Sequence, residues 1–245
     1  MQLSTLRAGL TVLFFGAALS AAPINGAGTF TPFGSNPNQN GSPFWDYTSA
    51  DGSGCGVGYV LTAGASINGC ANKQNGINSG LSLDPLDLEY YSEGGLATAF
   101  TMSAGKYLFT LHGGQYGARY NVVGYQYLGD EGYYPMFDTF DTVGDTFLLD
   151  ADREFRLWIK SDYNSDFLFH SDDSDGLRAA AFRNTSNGLY YFGFEDRPRG
   201  DKDYNDTVLS ANYISDVPEP ATFAIMGVGL IAVALAGRRR AGSNR

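Results

Sequence analysis

Lys106-Tyr107-Leu108-Phe109-Thr110-Leu111-His112 sets Tyr107, Phe109 and Leu111 on one side of an extended chain and Lys106, Thr110 and His112 on the other. A period of two with one polar face marks a half-buried β-strand, because successive side chains of a strand point to opposite faces. Phe155, Leu157 and Ile159 alternate with Glu154, Arg156 and Lys160 in the same way. Further strands are expected at Gly58 to Thr62, Leu96 to Met102, Asn121 to Leu128, Thr146 to Leu149, Leu177 to Phe182, Leu189 to Phe194 and Thr207 to Tyr213. No amphipathic helix stands out. About nine strands between turn-rich stretches predict an all-β chain folded as an antiparallel β-sandwich or jelly-roll-like domain. The lack of a fixed-period repeat argues against a solenoid or propeller.

Composition agrees. The 245 residues suffice for one domain of about 200 residues with additions at its ends. Hydrophobic residues at 43% exclude global disorder. Thirty-two Gly, 16 Tyr and 17 Phe favour turns and aromatic-filled sheets over helices. The net charge is −10, and between Pro23 and Val217 it is −14, from 25 acidic and 11 basic residues. Such a field repels nucleic acid and anionic lipid and favours cations, so no nucleic-acid partner is expected.

The two ends read as addresses. Arg7, the apolar run Ala8 to Leu19 and the small residues Ser20-Ala21-Ala22 have the three parts of a secretory signal peptide, assigned to residues 1–22. Residues 23–43 read as a flexible arm, because Ala27 to Asn40 is Gly, Pro, Asn, Ser and Thr with little periodicity. The β-sandwich domain is expected over 44–216. At the other end the charge-free segment 221–237 is just long enough, at about 25 Å, to span a thin bilayer as a transmembrane helix. Arg238, Arg239 and Arg240 in the basic end 238–245 would hold that terminus in the cytoplasm, with everything before Pro218 outside.

This tail over 217–245, with Pro218-Glu219-Pro220, a short apolar helix and an Arg cluster, resembles the PEP-CTERM sorting signal of Gram-negative bacteria. The resemblance implies export across the inner membrane, transient anchoring through the C-terminal helix, and processing by an exosortase near the Pro-Glu-Pro motif. It further implies delivery to the cell surface or to an extracellular exopolysaccharide (biofilm) matrix. An uncut single-span anchor is the alternative.

Cys55 and Cys70, the only two cysteines, close a loop of about 15 residues in an exported segment, so a disulfide is expected. Closing such a loop stabilises by roughly 3 kcal/mol, which suits its Gly-rich surroundings. A redox pair fits less well, since the spacing is not Cys-x-x-Cys and no basic residue flanks either thiol.

The most distinctive stretch is Gly193-Phe194-Glu195-Asp196-Arg197-Pro198-Arg199-Gly200-Asp201-Lys202-Asp203-Tyr204-Asn205-Asp206. Five carboxylates and one amide, Glu195, Asp196, Asp201, Asp203, Asn205 and Asp206, fall between two expected strands. Hard oxygen ligands in that number suit Ca²⁺, which takes six to eight oxygens and tolerates irregular loops. An EF-hand is excluded, because Asp206 replaces the Gly of the sixth position and Asn212 the Glu of the twelfth. The same residues also suit turns in which Asp and Asn bond local backbone, with Arg197, Arg199 and Lys202 neutralising their neighbours. The stretch resembles the signature of a domain of unknown function from secreted bacterial proteins, Phe-Glu-Asp, a Gly-containing turn and Asp-x-Asp-Tyr-Asn-Asp before a final strand. That resemblance implies a secreted β-rich domain with a cation-binding loop and no particular reaction.

A second acidic region, Asp162, Asp166, Asp172, Asp173 and Asp175, reads as a solvated loop, with a weak cation site as the alternative. The two could share ions if the sandwich brought them to one edge. His112 reads as a turn or capping residue at a strand end, and no Gly-x-Ser-x-Gly or His-Glu-x-x-His accompanies either His112 or His170. No enzyme is therefore expected. The sequence points to an exported surface or matrix protein with a structural or adhesive, Ca²⁺-stabilised domain. The alternative is a Ca²⁺-dependent, lectin-like carbohydrate-binding module using the Tyr-rich stretch Tyr116, Tyr120, Tyr125, Tyr127, Tyr133 and Tyr134, and less so a glycan-acting enzyme.

Overall fold

The computed structural model describes residues 23–33, 56–62, 80–94, 96–114, 120–161, 167–174, 178–196 and 204–214. They belong to one compact unit, Ala22–Ile214. The signal peptide, Cys55, Cys70, Pro218-Glu219-Pro220, Arg238 to Arg240 and the segment 221–237 lie outside the described residues. Among the described residues no helix is long and apolar enough to cross a membrane.

Two antiparallel sheets carry the fold, with strands numbered in chain order. The first runs β1 (Ile24–Asn25), β5 (Thr101–Met102), β10 (Phe155–Ser161), β7 (Asn121–Tyr127) and β8 (Tyr134–Asp138), with β11 (Phe167–His170) also paired to β10. The second runs β2 (Thr29–Pro32), β3 (Leu88–Glu93), β12 (Ala179–Asn184), β13 (Tyr190–Phe194), β14 (Thr207–Ile214), β6 (Gly105–Gly114) and β9 (Thr146–Ala151), with β4 (Leu96–Ala97) beside β3. The period-two pattern explains what lies between them. Tyr107, Phe109 and Leu111 of β6 meet Phe155, Leu157 and Ile159 of β10 in one buried apolar layer, joined by Phe192 and Phe194 of β13. The expected β-sandwich is the fold.

The other face of the second sheet is buried over β12, β13 and the start of β14 as well. Ala180, Phe182, Tyr191 and Val208 are covered there by Phe33, Leu81, Tyr204 and the short helix α1 (Val57–Thr62). This helix replaces the strand expected at Gly58 to Thr62. Val57, Val60 and Leu61 sit at i, i+3 and i+4, a helical stripe, and all three are fully buried. An apolar run this short does not declare its period by alternation alone.

Three other expectations need correcting. The single strand expected over Leu96 to Met102 is two: β4 pairs with β3 in the second sheet, and β5 crosses to pair with β1 and β10 in the first. The arm assigned to 23–43 begins with two strands: Ile24 pairs with Met102, and Thr29 to Pro32 pair with Ser92 to Glu89. Phe30 packs against the rings of Tyr91 and Tyr190, with the Arg183 guanidinium 4.6 Å above it. Edge strands take their conformation from the neighbour that pairs with them, so a Gly- and Thr-rich segment forms one without alternation of its own. His112 also lies inside β6, which continues to Gly114, and its Nε2 stands 2.7 Å from Ser210 Oγ of β14.

Candidate cation site

β13 and β14 are antiparallel neighbours, with Phe194 opposite Thr207. Their pairing brings Glu195 and Asp196, just after β13, to face Asp206, just before β14. The turn is fastened by backbone bonds: Asp206 N–H donates to the Phe194 carbonyl at 3.0 Å and Glu195 N–H to the Arg178 carbonyl at 2.9 Å. The Asp196 N–H donates to Asp206 Oδ2 at 2.8 Å. Carboxylate oxygens of Glu195, Asp196 and Asp206 all lie within 4.8 Å of one another, and all three residues are buried, at 1%, 0% and 6% exposure.

The neighbouring motif residues are buried too. Tyr204 is 2% exposed and adopts φ +55°, a left-handed conformation uncommon outside Gly, Asn and Asp. It is held against the sheet because Gly193 of β13 has no side chain; a Cβ there would stand 2.3 Å from the Tyr204 carbonyl oxygen. Burial pushes the Tyr204 hydroxyl up to about 12, with the nearby Arg178 charge lowering it and Glu195 raising it. Asn205 is also buried. Asp201, Asp203, Arg197, Arg199 and Lys202 lie outside the described residues.

One member of the site gave no signal in the sequence. Asn121 opens β7 in the opposite sheet, and its Nδ2 donates to Asp196 Oδ2 at 3.1 Å. No local motif surrounds it. Its place follows only from its pairing with Ser161 at the end of β10.

The arrangement suits a hard divalent cation. Two oxygens on one Ca²⁺, each about 2.4 Å from the ion, stand at most about 4.8 Å apart, and these carboxylates meet that limit. Two carboxylates at 4.8 Å repel by on the order of 3 kcal/mol at an effective dielectric of about 20. Arg178, 7% exposed, brings one positive charge to this neighbourhood among the described residues.

The second acidic region is organised differently. Asp172 pairs with Arg156 at 3.2 Å, and Asp173 accepts from the His170 backbone N–H at 2.8 Å while its Oδ2 stands 3.4 Å from His170 Nδ1. These contacts are ion-pair and turn chemistry. His170, Asp172 and Asp173 do form a close group, but Arg156 already supplies a cation. They also sit at the His170 end of β11, whereas Phe167 at its other end pairs with Ser161, the partner of Asn121. Three residues of strand, about 10 Å, separate those ends, too far for a shared ion. Asp162, Asp166 and Asp175 lie outside the described residues.

The Tyr-rich stretch is divided between the core and the surface: Tyr133 and Tyr134 are 45% and 39% exposed. Tyr125 and Tyr127 pack against the inter-sheet core, their rings at 81° to each other. Tyr125 stacks on Tyr134 with ring centroids 5.1 Å apart, and Tyr133 meets Trp158 edge-on. The described rings of this stretch form no coplanar row; Tyr116 lies outside the described residues.

Residues 216–240 match the PEP-CTERM protein-sorting motif, which agrees with the tail read in the sequence. That motif implies an exported chain, transiently anchored in the membrane and processed by an exosortase. A search of curated proteins returned no match. Among solved structures, the C-terminal domain of BC2L-C lectin from Burkholderia cenocepacia is similar at 17% identity and a TM-score of 0.29, covering 46% of this chain and 94% of that one. A likeness at that score bears on neither fold nor function.

Proposed function

We propose that the chain is a surface or extracellular-matrix protein, structural or adhesive and without catalytic activity, whose β-sandwich is stabilised by Ca²⁺ held at Glu195, Asp196 and Asp206. The observation that carries the reading is the burial of three carboxylates within reach of one ion at the base of the β13–β14 connection. Oxygens of three carboxylates are the hard ligands that Ca²⁺ takes. An exported chain meets calcium outside the cell, where such a site fills without competition from cytoplasmic buffers. Exopolysaccharide is the partner that fits the address, and the sorting tail provides the route to it.

Cell fractionation tests the proposal. The domain is expected in the surface or matrix fraction, and EGTA should release it or expose it to protease. Retention unchanged by EGTA, or turnover of a glycan by the purified chain, would contradict the reading.

A further inference from the structure

We propose that Asn121 is a further ligand of the ion at Glu195, Asp196 and Asp206, so that the ion bolts the two sheets together; this rests on reading that group as a cation site. The three acids flank strands of the second sheet, whereas Asn121 belongs to the first. Asn121 is 4% exposed, and its Oδ1 is buried with no hydrogen-bond partner among the described residues. A buried amide oxygen with no donor carries a desolvation penalty, and an ion is one way to remove it.

The position fits. Asn121 Nδ2 is 3.1 Å from Asp196 Oδ2, and within one amide group oxygen and nitrogen are about 2.3 Å apart. Oδ1 therefore stands at most about 5.4 Å from the carboxylate oxygen, and a modest rotation of the amide brings it within the span of two oxygens on one Ca²⁺. The backbone of Asn121 is fixed by its pairing with Ser161 and by the Thr139 N–H, which donates to its carbonyl at 3.0 Å. The amide is thus held at the group whether or not the ion is bound. Ca²⁺ takes carbonyl oxygens of Asn readily beside carboxylates, and an ion sharing ligands from both sheets closes this end of the sandwich.

The test is calorimetric titration of CaCl₂ into the full chain purified in detergent, with thermal unfolding in EGTA run alongside. Asn121→Ala should weaken Ca²⁺ binding about tenfold or more, since a ligand is lost. Asn121→Asp should tighten it, because ligand charge sets affinity at such sites, while lowering the calcium-free midpoint through a fourth carboxylate. A side chain that only donates to Asp196, or whose Oδ1 takes a buried water, predicts otherwise. Asn121→Asp would then bind more weakly than wild type, and Asn121→Ala would bind as wild type does; either result overturns the inference alone. No calcium binding by wild type would overturn the cation reading and this inference together. If Asn121→Ala fails to fold, Asn121→Asp decides, and folding of Asn121→Asp only in calcium supports the bridge.

Discussion

Gly193→Ala should both destabilise the chain and blunt its response to calcium. Gly193 lies in β13 between two close neighbours: an added Cβ would stand 2.3 Å from the Tyr204 carbonyl oxygen and 2.7 Å from Val57 Cγ2. Non-bonded carbon–oxygen and carbon–carbon contacts settle at about 3.3 to 4.0 Å. The Tyr204 backbone and α1 must therefore retreat by about 1 Å on a face where Tyr191, Val208 and Phe182 are already close-packed. Overpacking of this kind costs about 1–3 kcal/mol. For a domain of this size, a midpoint fall of about 2 to 12 °C follows. Tyr204 leads directly into Asn205 and Asp206, so its displacement also moves Asp206 away from Glu195 and Asp196. Unfolding followed by circular dichroism in EGTA and in calcium measures both effects. A midpoint unchanged in both buffers would refute the argument that the bare glycine seats the acidic turn.

Asp206→Asn, which keeps the shape while removing one of three like charges, should raise the midpoint in EGTA and shrink the calcium-induced rise; a larger rise would contradict the assignment. Phe192→Ala should cost about 3–5 kcal/mol, since Phe192 is fully buried between the sheets and stacked on Phe100 at 5.6 Å; denaturant unfolding measures it. Burial, and next the Arg156 charge, hold the His170 imidazole below its ordinary value of 6.5, against an opposing pull from Asp173. As pH falls below about 6.5 the unfolded chain therefore binds this proton before the folded one, and stability present above that pH is lost on the way down. His170→Gln should flatten this acid limb, and a limb as steep as wild type's would exclude His170 as its source. Substituting Pro218, Glu219 and Pro220 by Ala should leave the exported chain uncut and membrane-bound, which mass and fractionation report.

What the sequence disclosed follows from where the information is stored. β6 and β10 were legible because each carries its own alternation and lies inside a sheet, with one face against the core. β1 and β2 were not, since Ile24–Asn25 and Thr29–Pro32 are short and owe their conformation to Met102 and to Ser92 to Glu89. β8 and β11 were missed for a related reason: Tyr134–Asp138 opens on two exposed residues and Phe167–His170 is half-buried throughout, so neither shows the contrast that alternation needs. α1 was hidden by its length, six residues in which a helical stripe and a strand look alike. At the candidate site, Glu195, Asp196 and Asp206 announced themselves through a dense local motif, whereas their burial did not, because it comes from the pairing of β13 with β14, from Tyr204 seated over Gly193 and from Asn121 of the opposite sheet. Asn121 stands 75 residues before Asp196, and only the register of β7 on β10 joins them.

The central claim is that a divalent cation holds the buried carboxylates, and thermal unfolding of the full chain in detergent, in excess EGTA and then in millimolar calcium, tests it most directly. Ligand at a hundred times Kd adds about 2.7 kcal/mol. A midpoint rise of about 5 to 10 °C is expected, absent in Asp196→Asn/Asp206→Asn. An identical midpoint in both buffers would contradict it and return the three acids to a purely protein-held turn.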